Sequence, residues 1–288
     1  KMTSDLGIVG QGFVGTAVRE GLKGFFKICT YDKYKPAEFA VNSLEELVQK
    51  SEIIFVCLPT PMRKSGECDT RIVRDTVLQI NEMSGTHNLE NRVVVIKSTI
   101  PPGTTERLNS SCQNVQVVFN PEFLTEANAI NDYKNQNRII LGGPRPGTTV
   151  LKTMFSKAFP NASIIKTGSK TAEMVKYFIN CFLSTKVSFS NEMKQLCDAV
   201  GIDYDKVVEY ALYDQRIGKS HFSSPGPDGS YGFGGHCFPK DINALIYVAK
   251  SFGISPTVLE AAWKKNLEVR APENRDWEAM SGRAVSED

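Results

Sequence analysis

The chain has 288 residues, 34 Lys and Arg against 32 Asp and Glu for a net charge of +2, and 41% apolar residues. That length supports two domains with cores of their own. The even, scattered charge excludes a polyanion partner, nucleic acid included, recruited by bulk attraction; no apolar run is long enough to span a bilayer. With no signal-type amino terminus the expected compartment is the cytoplasm, and Lys1 ahead of Met2 is expected to be a cloning remnant.

In chain order, seven short β-branched runs come first: LGIVG, FKICTYD, EIIFVCLP, RVVVIKST, VQVVFN, RIILGG and SIIKTG. They are too short for helices and fit strands buried on both faces of a mostly parallel sheet. Helical stretches separate them, one opening with Ser43 and Glu46 spaced as a capping box. Residues 1–168 are therefore read as a doubly wound α/β domain. Its first crossover places Gly10, Gly12 and Gly15 as G-x-G-x-x-G between a strand and a helix that opens at Phe13 and Val14. Such a turn brings a pyrophosphate onto a helix N-terminus. Asp32, ending the second strand, suits the ribose hydroxyls, so an NAD site is expected, with Lys33 and Lys35 blunting the preference over NADP. Thr60 in LPTP and Thr99 in KSTIPPGTT follow the next two strands and face the same crevice, or simply form turns before proline.

Seven cysteines are present, most inside apolar runs such as IIFVCLP and FINCFL, as thiols are in a reducing compartment. No metal-ligand spacing occurs. Glu122 and Glu126 in NPEFLTEA lie four apart, on one face if helical; they are candidate site groups or complements to a helix N-terminus.

From Ser169 the period becomes helical for about eight turns, ending at Gly201. Lys176 and Asn180 stand four apart within its apolar run MVKYFINCFL, satisfied by a buried network or facing a cavity. Next come YDKVVEYALY, a loop rich in Gly and Pro, a helix from Pro239 and another through Trp263. Residues 169–270 are read as an all-helical domain and 271–288 as a polar tail. Within GFGGHCFPKD, Pro239 suits the first helical position, placing Cys237 just ahead of a helix N-terminus that favours thiolate. Asp241 falls in that helix's first turn. Inert packing is the alternative for the cysteine, though glycines leave it little to pack against.

GFGGHCFPKD, NPEFLTEA, KST, DQRIG and the Lys-x-x-x-Asn helix occur in an order and spacing that resembles the UDP-glucose/GDP-mannose dehydrogenase family. The resemblance implies a Rossmann-like domain followed by a helical central domain of the 6-phosphogluconate-dehydrogenase type. It also implies NAD-dependent, four-electron oxidation of a nucleotide sugar at C6, UDP-glucose to UDP-glucuronate foremost. Cys237 would trap the aldehyde and carry a thioester. Lys176 and Asn180 would stabilise the oxyanion, Asp241 and Thr99 would position a water and help move a proton, and Glu122 would serve thioester hydrolysis. Gly10, Gly12, Phe13, Val14, Gly15, Asp32, Thr60, Thr99 and Glu126 would contact NAD. The sugar nucleotide would meet Glu122, Phe123, Leu124, Glu126, Lys176, Asn180 and the main chain from Asp228 to Gly234, Tyr231, Gly232 and Gly234 among it. Arg216 would reach a neighbouring subunit's sugar site, in a homodimer built on the long helix.

The 288 residues are expected to stop short of the family's third, nucleotide-binding domain, as a fragment or as a naturally short form, and they depart from the family by Ala37 where a basic residue is common and by His236 ahead of Cys237. Two alternatives remain at this level: a two-electron hydroxyacid dehydrogenase, and a non-catalytic NAD-binding subunit.

Overall fold

The computed structural model describes residues 6–287; Lys1 and its expected origin lie outside the described residues. By contact density the chain forms two units, one running up to Thr60 and from Thr70 to Lys176, the other comprising Pro61–Asp69 and the chain from Tyr177 onward.

In the first unit β1 (Leu6–Val9), β2 (Ile28–Tyr31), β3 (Ile53–Val56), β4 (Arg92–Ile96), β5 (Val115–Phe119), β6 (Arg138–Gly142) and β7 (Ser163–Thr167) correspond to the seven runs. Among the described residues they make one sheet in the order β2-β1-β3-β4-β5-β6-β7. The first five strands are parallel, β6 meets β5 antiparallel at Phe119–Gly142, and β7 is parallel to β6. The helices of this unit are α1 (Phe13–Leu22), α2 (Leu44–Lys50), α3 (Arg71–Thr86), α4 (Thr104–Ser111), α5 (Ala129–Lys134) and α6 (Gly147–Ala158). The two-residue period of the strands sorts their side chains to opposite faces. Ile53 and Phe55 pack with Ala17 and Leu22 of α1, Tyr133 of α5 and Phe155 of α6. Ile54 and Val56 pack with Leu47 of α2, Val73 and Val77 of α3 and Leu108 of α4. β7 corrects one expectation: as the sheet's edge it leaves Ser163 and Ile165 exposed, so it is not buried on both faces. The chain reverses its direction across the sheet at β1, which opens a crevice beyond the carboxyl ends of β1 and β3.

The long helix α7 spans Ser169–Val200; its turns up to Lys176 count with the first unit, and from Tyr177 it belongs to the second. There it joins α8 (Tyr204–Ala211), α9 (Phe238–Ser251) and α10 (Thr257–Val269). Tyr177, Cys181, Phe233, Ile242, Ile246 and Ala262 form this unit's core, and Cys68 from the 61–69 excursion is part of it. Residues 271–287 are not the solvated tail expected from their polarity. They carry two 3-10 turns, bury Trp277 to 2% exposure, and pack it at a tilt against Trp263, 5.5 Å between ring centroids. Met62 N–H donates to Ala284 C=O (2.8 Å) and Ser286 N–H to Met62 C=O (2.7 Å), so the segment pairs with the excursion. One buried indole and a few main-chain bonds outweigh a polar composition.

Candidate active site

At the first crossover the three glycines differ in cause. Gly10 holds φ at +94° and a Cβ there would overlap the Cys57 carbonyl; a Cβ on Gly15 would overlap the Gly10 carbonyl. Gly12 is different: its φ of −72° suits any residue and a Cβ would meet nothing within 4 Å. Space left there by the protein itself suits a ligand's close approach to the backbone. Gly12 is the N-cap of α1 and brings no side chain of its own to that helix start. Asp32 is fixed beside the turn: Oδ2 accepts from Gln11 N–H (2.7 Å), and Oδ1 from Tyr34 and Lys35 N–H (2.9 Å each). The loops after β3 and β4 are joined, Thr60 donating to Thr99 C=O (2.7 Å) and Ser98 to Leu58 C=O (2.6 Å).

Glu122 and Glu126 do not share a helical face. Residues 121–125 form no helix, and a 3-10 turn starts only at Glu126; Glu122 is buried and Glu126 exposed. The buried carboxylate instead meets Lys176 from α7, whose Nζ donates to Glu122 Oε1 (3.1 Å) and to its main-chain carbonyl (2.5 Å). Glu122 Oε2 accepts from Leu124 N–H (2.7 Å), and Phe123 lies 5.6 Å from Lys176 Nζ. Sequence reasoning missed Lys97, at the end of β4. It is buried, donates to Asn120 Oδ1 (2.8 Å), and Asn120 passes the link on to Ile140 C=O (2.9 Å). Burial, with Lys176 adding, pushes the Lys97 pKa down to about 8 against the opposing pull of Glu122 and Cys57. The Cys57 thiol is pushed up to about 12 by burial, which makes it inert beside these lysines. The only sign of Lys97's role in the sequence is a lysine ending a wholly buried run, VVVIK.

In the second unit α9 begins one residue earlier than expected, at Phe238, with Cys237 as its N-cap and Pro239 in the first turn. The Cys237 side chain makes no capping hydrogen bond, and its place at the helix start exposes the thiol to the positive end of the α9 dipole. Asp241 is 1% exposed and doubly engaged: Asn180 Nδ2 donates to Oδ2 (2.7 Å) and Lys240 Nζ to Oδ1 (2.8 Å). Burial works against the Lys240 charge, but Asp241, Cys68 and Cys237 together raise its pKa above the ordinary lysine value. The ammonium therefore lies within electrostatic reach of the Cys237 sulfur.

The glycine-rich approach to Cys237 is not pliable. A Cβ on Gly232 would overlap Asn266 Oδ1, and one on Gly234 would overlap the Arg270 guanidinium. Both glycines are thus explained by side chains of this unit lying against the main chain, and access for a sugar nucleotide is not needed to account for them. Tyr231 is exposed. Arg216 joins none of the other candidates here: its guanidinium is 89% exposed and pairs with Asp214 at 2.6 Å. Among the described residues no group of three or more His, Cys, Asp or Glu could hold a metal ion, and no helix is long and apolar enough to cross a membrane.

Comparison with known proteins bears on both units. Residues 32–159 match the NAD binding domain of the UDP-glucose/GDP-mannose dehydrogenase family, and residues 170–268 match that family's central domain. The UDP-glucose 6-dehydrogenase TuaD of Bacillus subtilis is 36% identical over 236 residues, 80% of this chain and 49% of its own length. A Pseudomonas aeruginosa UDP-glucose 6-dehydrogenase is 35% identical over 237 residues, 78% of this chain and 50% of its own. The chain thus spans about half the length of these curated relatives. A UDP-glucose dehydrogenase from Pyrobaculum islandicum superposes with a TM-score of 0.81 at 28% identity, covering 92% of this chain and 68% of the other. The 3-hydroxyisobutyrate dehydrogenase of Mycobacterium tuberculosis shares the fold alone, with a TM-score of 0.73 at 15% identity over 95% of this chain and 96% of that one. The open space at Gly12, its place as the glycine N-cap of α1 and the fixed Asp32 carboxylate fit NAD as cofactor. Matched in its NAD-binding and its central domain alike, this chain belongs to the UDP-glucose/GDP-mannose dehydrogenase family.

Proposed function

We propose that the chain oxidises the C6 alcohol of a nucleotide sugar to the carboxylate, taking UDP-glucose to UDP-glucuronate, with Cys237 as nucleophile. The observation that carries this reading is the setting of Cys237: N-cap of α9, next to Lys240 and four residues ahead of Asp241. The helix N-terminus and the Lys240 ammonium favour thiolate. NAD, when bound, accepts the hydride removed at each of two oxidations.

The protein's own groups divide the remaining work. Asp241, held by Asn180 and Lys240, orients a water that takes the proton of the sugar hydroxyl, and Thr99 completes that placement. The Cys237 sulfur adds to the aldehyde carbon, and the oxygen so charged is stabilised by the Lys176 ammonium and the Asn180 amide. Hydride loss from this thiohemiacetal leaves a thioester. Glu122 draws a proton from the water that attacks it, the C–S bond breaks, and the thiol returns as the carboxylate departs. A covalently held intermediate lets the coenzyme be exchanged without release of aldehyde. Phe123, Leu124, Glu126 and the main chain of Tyr231, Gly232 and Gly234 supply contacts to sugar and nucleotide, and Arg216, extended into solvent, serves the site of a second copy.

The test counts reduced coenzyme per sugar acid from UDP-glucose. Two per product are expected, with turnover abolished in Cys237→Ser. One per product, together with free aldehyde or ketone and an undiminished Cys237→Ser, would sink the reading in favour of a two-electron dehydrogenase. NAD binding without turnover of any nucleotide sugar would make the chain a non-catalytic subunit.

A further inference from the structure

Arg270, the residue after the last turn of α10, is a buried guanidinium whose donors converge on the loop leading to Cys237. Nη1 donates to Tyr231 C=O (3.1 Å), Nη2 to Asp228 Oδ2 (2.6 Å), and Nε to Asn274 C=O (2.8 Å). Asp276 stands 3.8 Å from Nη2, and its Oδ1 also accepts from Gly235 N–H (3.0 Å), two residues short of the thiol. Beside it Asn266 closes a two-way amide pair on Phe233, accepting from its N–H (2.7 Å) and donating to its C=O (3.0 Å). From Asp228 to Gly235 the loop is therefore gripped by α10 and by the segment that follows it, and Gly234 has no side chain because the guanidinium occupies that space.

We infer that Arg270 is a positioning residue for Cys237: with Asp276 it fixes the main chain of the loop so that the sulfur stands at the N-cap of α9. The inference rests on the reading of Cys237 as nucleophile. A planar fork can hold two carbonyls and a carboxylate at once, whereas an ammonium holds them as a point charge without fixed directions. Arg270→Lys keeps the charge and loses the geometry, so it isolates shape from electrostatics. Asp276 is half-exposed, so Asp276→Ala removes the Gly235 anchor with little threat to folding.

The experiment uses the whole chain and measures iodoacetamide alkylation of Cys237 by peptide mass spectrometry from pH 6 to 9, alongside NADH production from UDP-glucose. Cys112, half-buried in the first unit, is the internal reference. In Arg270→Lys the pH midpoint of Cys237 alkylation should move up toward that of an ordinary thiol. Alkylation at pH 7 should slow about tenfold, and kcat should fall about 10²-fold with the KM for NAD unchanged. Asp276→Ala should shift both in the same direction by less. The inference is overturned if both variants keep the parent's Cys237 profile and kcat. It is equally overturned if Cys112 alkylates faster in step with Cys237, which would mark general loosening. Full turnover in Cys237→Ser would remove the reading of the thiol on its own account, and the alkylation profile would still decide the role of Arg270.

Discussion

Lys97 carries a cost that a lysine on the surface never meets. Its pKa falls from 10.5 to about 8 in the fold, a shift worth about 3 kcal/mol. Between those values the unfolded chain binds a proton that the folded chain has released, so this group makes stability rise with pH from about 8 upward. Below 8 both states are charged and the burial penalty is borne in full. Cys57 acts the other way above its ordinary 9.0, because burial pushes it up to about 12. The clean measurement is a difference: the urea unfolding free energy of the parent minus that of Lys97→Met should climb by about 1 kcal/mol between pH 8 and 9. A flat difference would show that the lysine keeps its charge in the fold. At this scale the sequence was readable where a residue's own backbone decides, as at Gly10 and Gly15. It was unreadable where a neighbouring strand decides: Lys97 is buried because Asn120 on the adjacent strand end accepts from it.

Elements were found more reliably than their joints. The seven β-branched runs and the long helix all lie where hydrophobic period puts them, since strand and helix faces must be buried somewhere. What period does not show is how one element is fastened to another. Glu173, in SKTAEMV, looks like an ordinary second-turn residue of α7, yet it is fully buried. Its carboxylate accepts from Gly103 N–H (2.9 Å), Thr105 N–H (3.0 Å) and the Thr105 hydroxyl (3.0 Å), closing the N-terminus of α4 from another helix. Helix starts leave such donors unpaired. Glu173→Ala should therefore cost about 3 kcal/mol in denaturant unfolding. Glu173→Gln should cost clearly less, because the amide oxygen keeps one of the three bonds. Equal losses would mean that side-chain volume alone matters there. The same limit explains the pair at 122 and 126: their spacing suggested a shared helical face, and the residues between them form no helix until the turn at Glu126.

At the scale of the molecule, α7 presents an unpaired apolar stripe. Phe178, Phe182, Phe189, Leu196 and Val200 fall on one side of it, each more than half exposed, at spacings that return to one face. We propose that a second copy covers it, since large apolar faces left in water mark association sites. Sedimentation should show a dimer for the parent and a monomer for Phe182→Glu combined with Phe189→Glu; a parent that stays monomeric at high concentration would exclude this use of the helix. The stripe was legible from the girth of apolar residues in the long helix, whereas the excursion of Pro61–Asp69 was not, because nothing in its composition separates it from any other loop after a strand. That excursion has a consequence for biosynthesis. The nine residues leave the ribosome long before the chain that Met62 hydrogen-bonds to, at Ala284 and Ser286. Most of the sheet can therefore assemble during translation, while the helical part must keep a place open for more than 200 residues of synthesis. Nascent chains halted before Ala284 would hold a finished sheet and an unsealed helical layer, and quality control would meet them in that state.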